Sequence, residues 1–243
     1  MRAARATTRR ATTVAGATPS RQPVIVPIMI ALNVLVFGYT AYQSRSILDN
    51  YDKSALFDNW VLLPAWVSHG QWWRVLTSGF LHIGPLHIGM NMIALWLIGK
   101  DLELLLGKIR FTVVYVLSLF GGGVAVFLFG DPTSPVAGAS GAVFGLMGGV
   151  AVACLRLKLN PTQALVLIAV NLIISVSIPG ISLLGHVGGL VVGALATAGM
   201  VYPPPTRRIA WQFGTAVVLA AALLGLFLLR DATIGAQLGA IAG

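Results

Sequence analysis

Long apolar runs separated by short charged stretches are the feature that most constrains this chain. Only 9% of its 243 residues are charged and 57% are hydrophobic, whereas soluble domains carry about a quarter charged residues. A backbone in hydrocarbon must satisfy its own hydrogen bonds, so runs of about 20 apolar residues predict membrane-spanning helices. The predicted fold is all-α, a polytopic transmembrane helical bundle, with spans near 23–42, 86–106, 110–129, 139–155, 162–179, 182–201 and 209–229.

Composition divides the chain into three regions. Residues 1–21 hold five Arg and no acid, which predicts a disordered basic tail or, as an alternative, a transit peptide. Residues 22–202 would form a core of six helices, with a polar outer loop at 43–85 that holds four of the six Trp and suits the headgroup region. Residues 203–243 would supply a linker, a seventh transmembrane helix and a short tail.

The basic residues predict the orientation of the chain. Twelve of the sixteen Lys and Arg lie in segments that would share one side of the membrane, 1–21, 100–110, 156–158 and 207–208. The positive-inside rule therefore places the N-terminus in the cytoplasm and the C-terminus outside. Membrane topology also explains the net charge of +9, because the basic residues lack the aromatic interleaving of a nucleic-acid surface. We expect a lipid bilayer, and no nucleic acid, as a partner.

A few polar residues fall inside the predicted spans, where ionisable groups are costly and are functional candidates. His87 and Asn91 are four residues apart and so share one face of the second span. Ser140 opens the fourth span, and His186 lies in the sixth. These four side chains are the candidates for chemistry.

Residue counts place Ser140 and His186 at the same depth. Ser140 lies sixteen residues before Arg156, and His186 lies seventeen before Pro203. At about 1.5 Å per residue, both lie roughly 24–26 Å above the inner boundary of a hydrocarbon core about 30 Å thick. Both side chains are therefore predicted to lie a few ångströms below the outer surface, although matching depth alone does not bring them into contact.

A serine beside a histidine can act as a nucleophile, because the imidazole takes the hydroxyl proton. At the start of a helix, Ser140 would also lie beside unpaired backbone N–H groups and the positive end of the helix dipole. His87 and Asn91 would add side-chain donors for an oxyanion. Glycines four residues apart predict that the two helices pack closely; they are Gly141, Gly145 and Gly149 on one and Gly185, Gly189 and Gly193 on the other.

Other interpretations of these residues stay open at this point. A serine among glycines is most often a packing residue, and an intramembrane histidine can be a structural hydrogen-bonder, a proton relay or a ligand. Two histidines and Asn91 are also compatible with a metal site, but no acid or thiol joins them, so no metal and no cofactor are expected. A small transporter would need a polar stripe across the whole membrane, whereas these polar groups gather near the outer face.

Taken together, these segments resemble the rhomboid family of intramembrane serine proteases over about residues 23–202. The resemblance is specific because several separate motifs occur in order. They are Trp73-Arg74 in the outer loop, His82, the His87-xxx-Asn91 helix, Gly138-x-Ser140-Gly141, and His186 ahead of Gly189-xxx-Gly193, with a Gly-rich, Glu-bearing segment at 99–103 ending the second span. The seventh helix follows the core, as in the six-plus-one arrangement of bacterial-type members.

The resemblance implies an endopeptidase with a Ser140–His186 dyad that cuts single-span membrane proteins at a helix-weakened segment. His87, Asn91 and the Ser140 backbone N–H would bind the oxyanion.

Where many members have Tyr, this chain has Phe144, whose ring can still stack on His186. Catalytically inactive relatives are the nearest alternative, although they commonly lack the Ser or His. Residues that would support the site are Gly138, Gly141, Phe144 and Gly189.

Overall fold

A computed structural model describes the backbone of residues 12–242 and the side chains of residues 12–232. Helices account for every long element in this part of the chain, and no strand forms within it; Leu62 and Val136 make an isolated antiparallel bridge. Short 3₁₀ turns lie at Ser78–Phe80 and Pro205–Arg207. The helices are α1 Ile25–Ser44, α2 Ala55–Trp60, α3 Pro64–Val67, α4 Arg74–Thr77, α5 Gly84–Leu106, α6 Lys108–Phe129, α7 Ser140–Arg156, α8 Thr162–Ser177, α9 Leu183–Val201 and α10 Arg208–Ala242.

A long helix occupies each of the seven predicted spans, and the polytopic helical bundle is confirmed. By length and composition, α1, α6, α9 and the segment Pro205–Ala232 can each cross a membrane. A fifth crossing results if α5 is counted with the segment Arg74–Phe80, which meets it at 94°. The apolar helices α7 and α8 have only 17 and 16 residues. Because α7 is short for a bilayer, its first residue is expected to lie below the surface.

Helix α7 lies at the centre of the bundle, packed against α5, α6, α8 and α9. Most of its residues are buried, including four glycines. A helix that is apolar on all sides suits such a position. Helices α6 and α9 also pack closely on each other, and α10 lies against both of them. The residue that begins α7 is therefore surrounded by protein on several sides.

The outer loop is folded rather than extended. It forms α2, α3 and α4, and the buried Arg74 holds these together by donating to the carbonyl oxygens of Asp58 and Val61 and to the side chain of Gln71. The Arg74 guanidinium also lies 4.4 Å from the centre of the Trp66 ring. Trp72 and Trp73 remain exposed, as expected for an interfacial element.

The inner end of α5 fastens the start of α1. The carboxylate of buried Glu103 accepts hydrogen bonds from the backbone N–H groups of Val24, Ile25 and Val26 at 2.7, 2.9 and 2.9 Å. These are first-turn N–H groups that have no carbonyl partner within the helix. An anionic side chain is well placed there because it also faces the positive end of the helix dipole.

Part of the basic tail is packed on the bundle, which departs from the predicted disorder. Ala15 is fully buried, and its carbonyl oxygen accepts from Gln212 Nε2 at 2.9 Å. Gln212 also bonds the Met200 carbonyl and Arg110 Nε, so it joins the tail to α6, α9 and α10. The disorder prediction is wrong for the residues around Ala15, because one buried glutamine fixes their backbone. The prediction for residues 1–11 lies outside the described residues.

Candidate active site

Ser140 and His186 are in direct contact. The Ser140 Oγ lies 2.8 Å from His186 Nε2, although the two residues are 46 positions apart in the chain. His186 is buried, while Ser140 is partly exposed. The expected contact is therefore present, and it joins a hydroxyl at the first residue of α7 to an imidazole one turn into α9. A hydroxyl and a base at this distance are arranged for proton transfer.

Glycines allow the close packing that this contact requires. A β-carbon on Gly189 would lie 2.0 Å from the Gly141 carbonyl oxygen, and one on Gly193 would lie 2.3 Å from that of Gly145. Both distances are far below van der Waals contact, and the opposing atoms belong to the backbone. Helices α7 and α9 can therefore approach as they do only with glycine at these positions, as the small-residue spacing predicted.

Two further residues contact the imidazole of His186. The ring of Phe144 stacks on it, with centroids 4.0 Å apart and 12° between the planes, so the expected stacking is present without a hydroxyl. At the edge of the same ring, Ser175 Oγ of α8 lies 2.6 Å from His186 Nδ1. Ser175 was not among the residues predicted for the site. The only sequence feature that could identify Ser175 as a site residue is its place as a small polar residue in an apolar helix. Serines in such helices commonly bond their own backbone.

The hydrogen bonding of His87 fixes which of its nitrogens can donate. The backbone N–H of Ile83 donates to His87 Nδ1 at 3.2 Å. Because Nδ1 acts as an acceptor, the imidazole proton belongs on Nε2. That Nε2 lies beside Gly138, 2.9 Å from the point that a β-carbon of Gly138 would occupy, and Ser140 Oγ lies 3.7 Å from the same point.

Gly138 thus keeps a small space open between a donor and a hydroxyl. Its φ of +133° also lies in a region that side-chain-bearing residues rarely adopt. The Gly138 N–H donates to the Ser78 carbonyl oxygen at 2.9 Å, and the neighbouring Val136 pairs with Leu62. The outer loop therefore holds the chain just before Ser140.

Asn91 is buried one turn below His87 on α5. Its side-chain amide donates to the His87 carbonyl oxygen at 3.0 Å, not to a group of Ser140. It shares a helix face with His87 as predicted, but in this structure it is engaged with its own helix. The backbone N–H of Ser140 lies in the first turn of α7, where N–H groups have no carbonyl partner within the helix.

His82 supports the entrance to α7 from the outer loop. Its Nε2 accepts from the Ala139 N–H at 3.4 Å, and its ring lies edge-on to that of His87 with centroids 5.1 Å apart. Asn50 bonds the His82 carbonyl oxygen and accepts from the Gly84 N–H. His82 thus connects the turn into α5 with the residue before Ser140.

A cavity of about 30 Å³ reaches Ser140, which is room for roughly one or two water molecules. Glycines of three helices line it, namely Gly122 and Gly123 of α6, Gly141 of α7 and Gly185 of α9. A β-carbon on Gly122 would lie 2.7 Å from the Gly185 carbonyl oxygen. The glycine run at 121–123 is therefore a second signal of the site in the sequence, and it was not among the predicted residues.

Comparisons with known proteins identify the family of this chain. A Rhomboid domain model matches residues 69–203. Rhomboid protease GluP of Bacillus subtilis (strain 168) is 32% identical over 210 residues, which cover 84% of this chain and 39% of that protein. RHOMBOID-like proteins 4 and 1 of Arabidopsis thaliana are 30% and 36% identical over 203 and 204 residues, each covering 71% of this chain and 51% and 52% of the relative.

The chain thus spans about half the length of these relatives, or less. The matched domain contains the outer-loop Trp-Arg pair, His82, His87, Ser140 and His186. More than half of the chain lies within it. The chain is an integral membrane protein, and it belongs to the rhomboid family.

Proposed function

We propose that this chain is an intramembrane serine endopeptidase that cuts single-span membrane proteins by a Ser140–His186 dyad. The observation that carries the proposal is the 2.8 Å contact between Ser140 Oγ and His186 Nε2 at the start of the short helix α7. A hydroxyl and a buried imidazole so arranged form the minimum for nucleophilic catalysis. The names of the relatives support a protease, since GluP is a rhomboid protease.

The reaction would proceed in two steps. Ser140 Oγ attacks the scissile carbonyl carbon while His186 Nε2 takes the hydroxyl proton, and His186 then gives that proton to the leaving amine as the C–N bond breaks. A water molecule next attacks the Ser140 ester, with His186 again accepting and returning a proton. The cavity beside Ser140 has room for that water.

The negative oxygen formed in each step needs donors that are already in position. The Ser140 N–H and His87 Nε2–H would supply two, and the space beside Gly138 lies between His87 Nε2 and Ser140 Oγ. Asn91 would add a third donor if its amide turned from the His87 carbonyl. Losing one such donor typically lowers a rate by about 10²–10³.

The substrate would be a transmembrane helix that unwinds easily near the outer surface. A carbonyl inside a regular helix is hydrogen-bonded to its own backbone and covered by side chains, so a helix-weakening segment must open before Ser140 can reach it. The small volume beside Ser140 favours a small residue at the cut. The family resemblance supports the same substrate class.

The site would open on the outer face of a bacterial plasma membrane, with the N-terminus in the cytoplasm. The excess of Lys and Arg in the inner loops supports this orientation. Because Cys154 is the only cysteine, orientation can be measured in a Cys154→Ser background. A membrane-impermeant maleimide should label Ser134→Cys and not Leu159→Cys in intact cells, and the reverse result would invert the topology.

The proposal is tested with purified protein in detergent or proteoliposomes and a single-span reporter. The unmodified chain should cut the reporter within or next to its membrane segment, while Ser140→Ala and His186→Ala should reduce cleavage to background. Melting temperature measured on each variant separates loss of chemistry from loss of folding. Cleavage by folded Ser140→Ala at the unmodified rate would refute the proposed dyad.

A further inference from the structure

Ser175 contacts both the imidazole of the dyad and a backbone carbonyl. Its Oγ lies 2.6 Å from His186 Nδ1 and 2.7 Å from the carbonyl oxygen of Asn171, one turn earlier on α8. Ser175 and His186 are both buried. A buried hydroxyl with two partners at these distances makes two hydrogen bonds, and it has one proton to share between them.

Counting protons assigns the direction of each bond. The Asn171 carbonyl oxygen can only accept, so the Ser175 hydroxyl must donate to it. The Ser175 oxygen is then an acceptor toward His186 Nδ1, which must carry the imidazole proton. In a neutral imidazole the other nitrogen is unprotonated. His186 Nε2, 2.8 Å from Ser140 Oγ, is therefore left as the acceptor.

We infer that Ser175 is a positioning residue that holds His186 in the tautomer able to accept the Ser140 proton, with the Asn171 carbonyl as the end of the hydrogen-bond chain. This inference rests on the proposed function, because it assigns a role to Ser175 only if His186 is the base. The dyad is then part of a hydrogen-bonded chain that runs from Ser140 through His186 and Ser175 to the Asn171 carbonyl oxygen. Ser175 exchanges no proton with substrate.

The arrangement serves both charge states of the imidazole. When His186 accepts the Ser140 proton, it carries N–H groups on both nitrogens. The Nδ1–H keeps its bond to Ser175 Oγ, so no group has to turn during the reaction. The stacked ring of Phe144 restrains the imidazole through its face, whereas Ser175 fixes its rotation through Nδ1.

The position of Ser175 on α8 supports a role beyond packing. Ile168 and Ser175 are the two buried residues of α8, a helix whose residues are all described and mostly face outward. Ser177 offers a comparison two positions later. It also bonds its own helix, donating to Ile173, but it is exposed and lies on the opposite face. The one buried serine of α8 is thus the one that meets His186.

The test uses three substitutions at this position and one control, all made in the intact 243-residue chain. Ser175→Ala removes the hydroxyl. Ser175→Thr and Ser175→Val have nearly equal volume, but only threonine keeps a hydroxyl that can bond the carbonyl one turn back. Ser177→Ala removes an exposed hydroxyl from the same helix. For each variant, kcat and KM on the reporter, the rate of fluorophosphonate labelling and the melting temperature are measured.

We expect kcat and the labelling rate to fall about tenfold in Ser175→Ala and Ser175→Val, which is the effect of losing one buried hydrogen bond. KM should be unchanged, because Ser175 does not touch substrate. Ser175→Thr should exceed Ser175→Val in kcat by several-fold, and Ser177→Ala should match the unmodified chain.

Equal kcat for the Thr and Val variants, or a Ser175→Ala variant within twofold of the unmodified chain, would overturn the inference. The same experiment separates this failure from failure of the proposed function. If Ser140→Ala is inactive while Ser175→Ala is fully active, only the role of Ser175 is lost. If Ser140→Ala still cleaves, the dyad itself is wrong.

Discussion

The ring of Phe144 lies almost parallel to the imidazole of His186, 4.0 Å away between centroids. Phe144 is one helical turn after Ser140 on α7, so the helix that carries the hydroxyl also carries the ring on which the imidazole of His186 stacks. This relationship couples the two halves of the site. Any shift of α7 against α9 would move the hydroxyl and the stacking ring together.

Removing the Phe144 ring should slow the reaction without abolishing it. Stacked aromatic pairs contribute about 0.5–1.5 kcal/mol beyond their buried area, so Phe144→Leu is expected to lower kcat by roughly two- to twelvefold. Phe144→Tyr retains the ring and should stay near the unmodified rate. Reporter cleavage measures both variants, and equal rates for Leu and Phe would show that the stack does not position His186.

The meeting of Ser140 and His186 could be predicted because regular helix geometry and the ordered family motifs indicated the same pair. Residue counts to the inner loops gave matching depths, and glycines four apart marked the faces that pack. Ser175 could not be predicted in this way, since α8 has few buried residues and a serine there is satisfied by its own backbone. Asn91 shares a helix face with His87 as the spacing predicted, but spacing alone does not determine that its side-chain amide donates to the His87 carbonyl oxygen.

The outer loop and the tail contain further contacts that could not be predicted from the sequence. Composition indicated that 43–85 is polar and interfacial, but the short helices α2, α3 and α4 are held by Arg74 through bonds to irregular backbone. Likewise, the packing of Ala15 depends on Gln212, almost 200 residues later. Contacts between such distant, non-periodic residues leave no pattern in a single sequence.

Gly138 should not tolerate a side chain. In Gly138→Ala the added carbon would lie 2.9 Å from His87 Nε2, within the space proposed for the oxyanion, so cleavage should fall by at least about 10²-fold. Gly180→Ala is the matched control, because Gly180 also has positive φ, +85°, but a β-carbon added there would have nothing within 4 Å. Backbone strain costs about 1–3 kcal/mol in each variant, with the larger cost at Gly138, because its φ of +133° lies farther from the left-handed helical region.

Reporter cleavage and melting temperature together separate strain from obstruction. Gly180→Ala should lose a little stability and keep its activity, whereas Gly138→Ala should lose activity beyond any loss of stability. Similar activity in the two variants would mean that the space beside His87 is not used in the reaction.

The packing of α7 on α9 should fail when Gly189 is enlarged. A β-carbon there would meet the Gly141 carbonyl oxygen at 2.0 Å, and because that atom is backbone, the helices must separate. Overpacking of this kind typically costs about 1–3 kcal/mol or more, so Gly189→Ala should melt at lower temperature and lose cleavage. Gly38→Ala in α1 has open space around it and should keep or raise the melting temperature, because Ala favours a helix more than Gly does. Equal melting of Gly189→Ala and Gly38→Ala would contradict the packing account.

Glu103 should stabilise the fold without taking part in the chemistry. Glu103→Gln replaces a carboxylate that accepts three backbone N–H bonds with an amide whose NH₂ group cannot accept. Charge-assisted hydrogen bonds contribute about 1.5–3 kcal/mol, so unfolding should occur at lower temperature or denaturant concentration. The control Asp101→Asn changes an exposed acid on the same helix and should leave unfolding unchanged. A Glu103→Gln variant as stable as this control would show that the cap of α1 is dispensable.

The most direct test of the account is to find which atom reacts with a fluorophosphonate. After labelling in detergent, mass spectrometry of the digested protein should show one adduct, on Ser140. His186→Ala should slow its formation by at least about 10²-fold, because the general base is gone. An adduct on another residue, or labelling of folded Ser140→Ala at the rate of the unmodified chain, would contradict the assignment of Ser140 as the nucleophile.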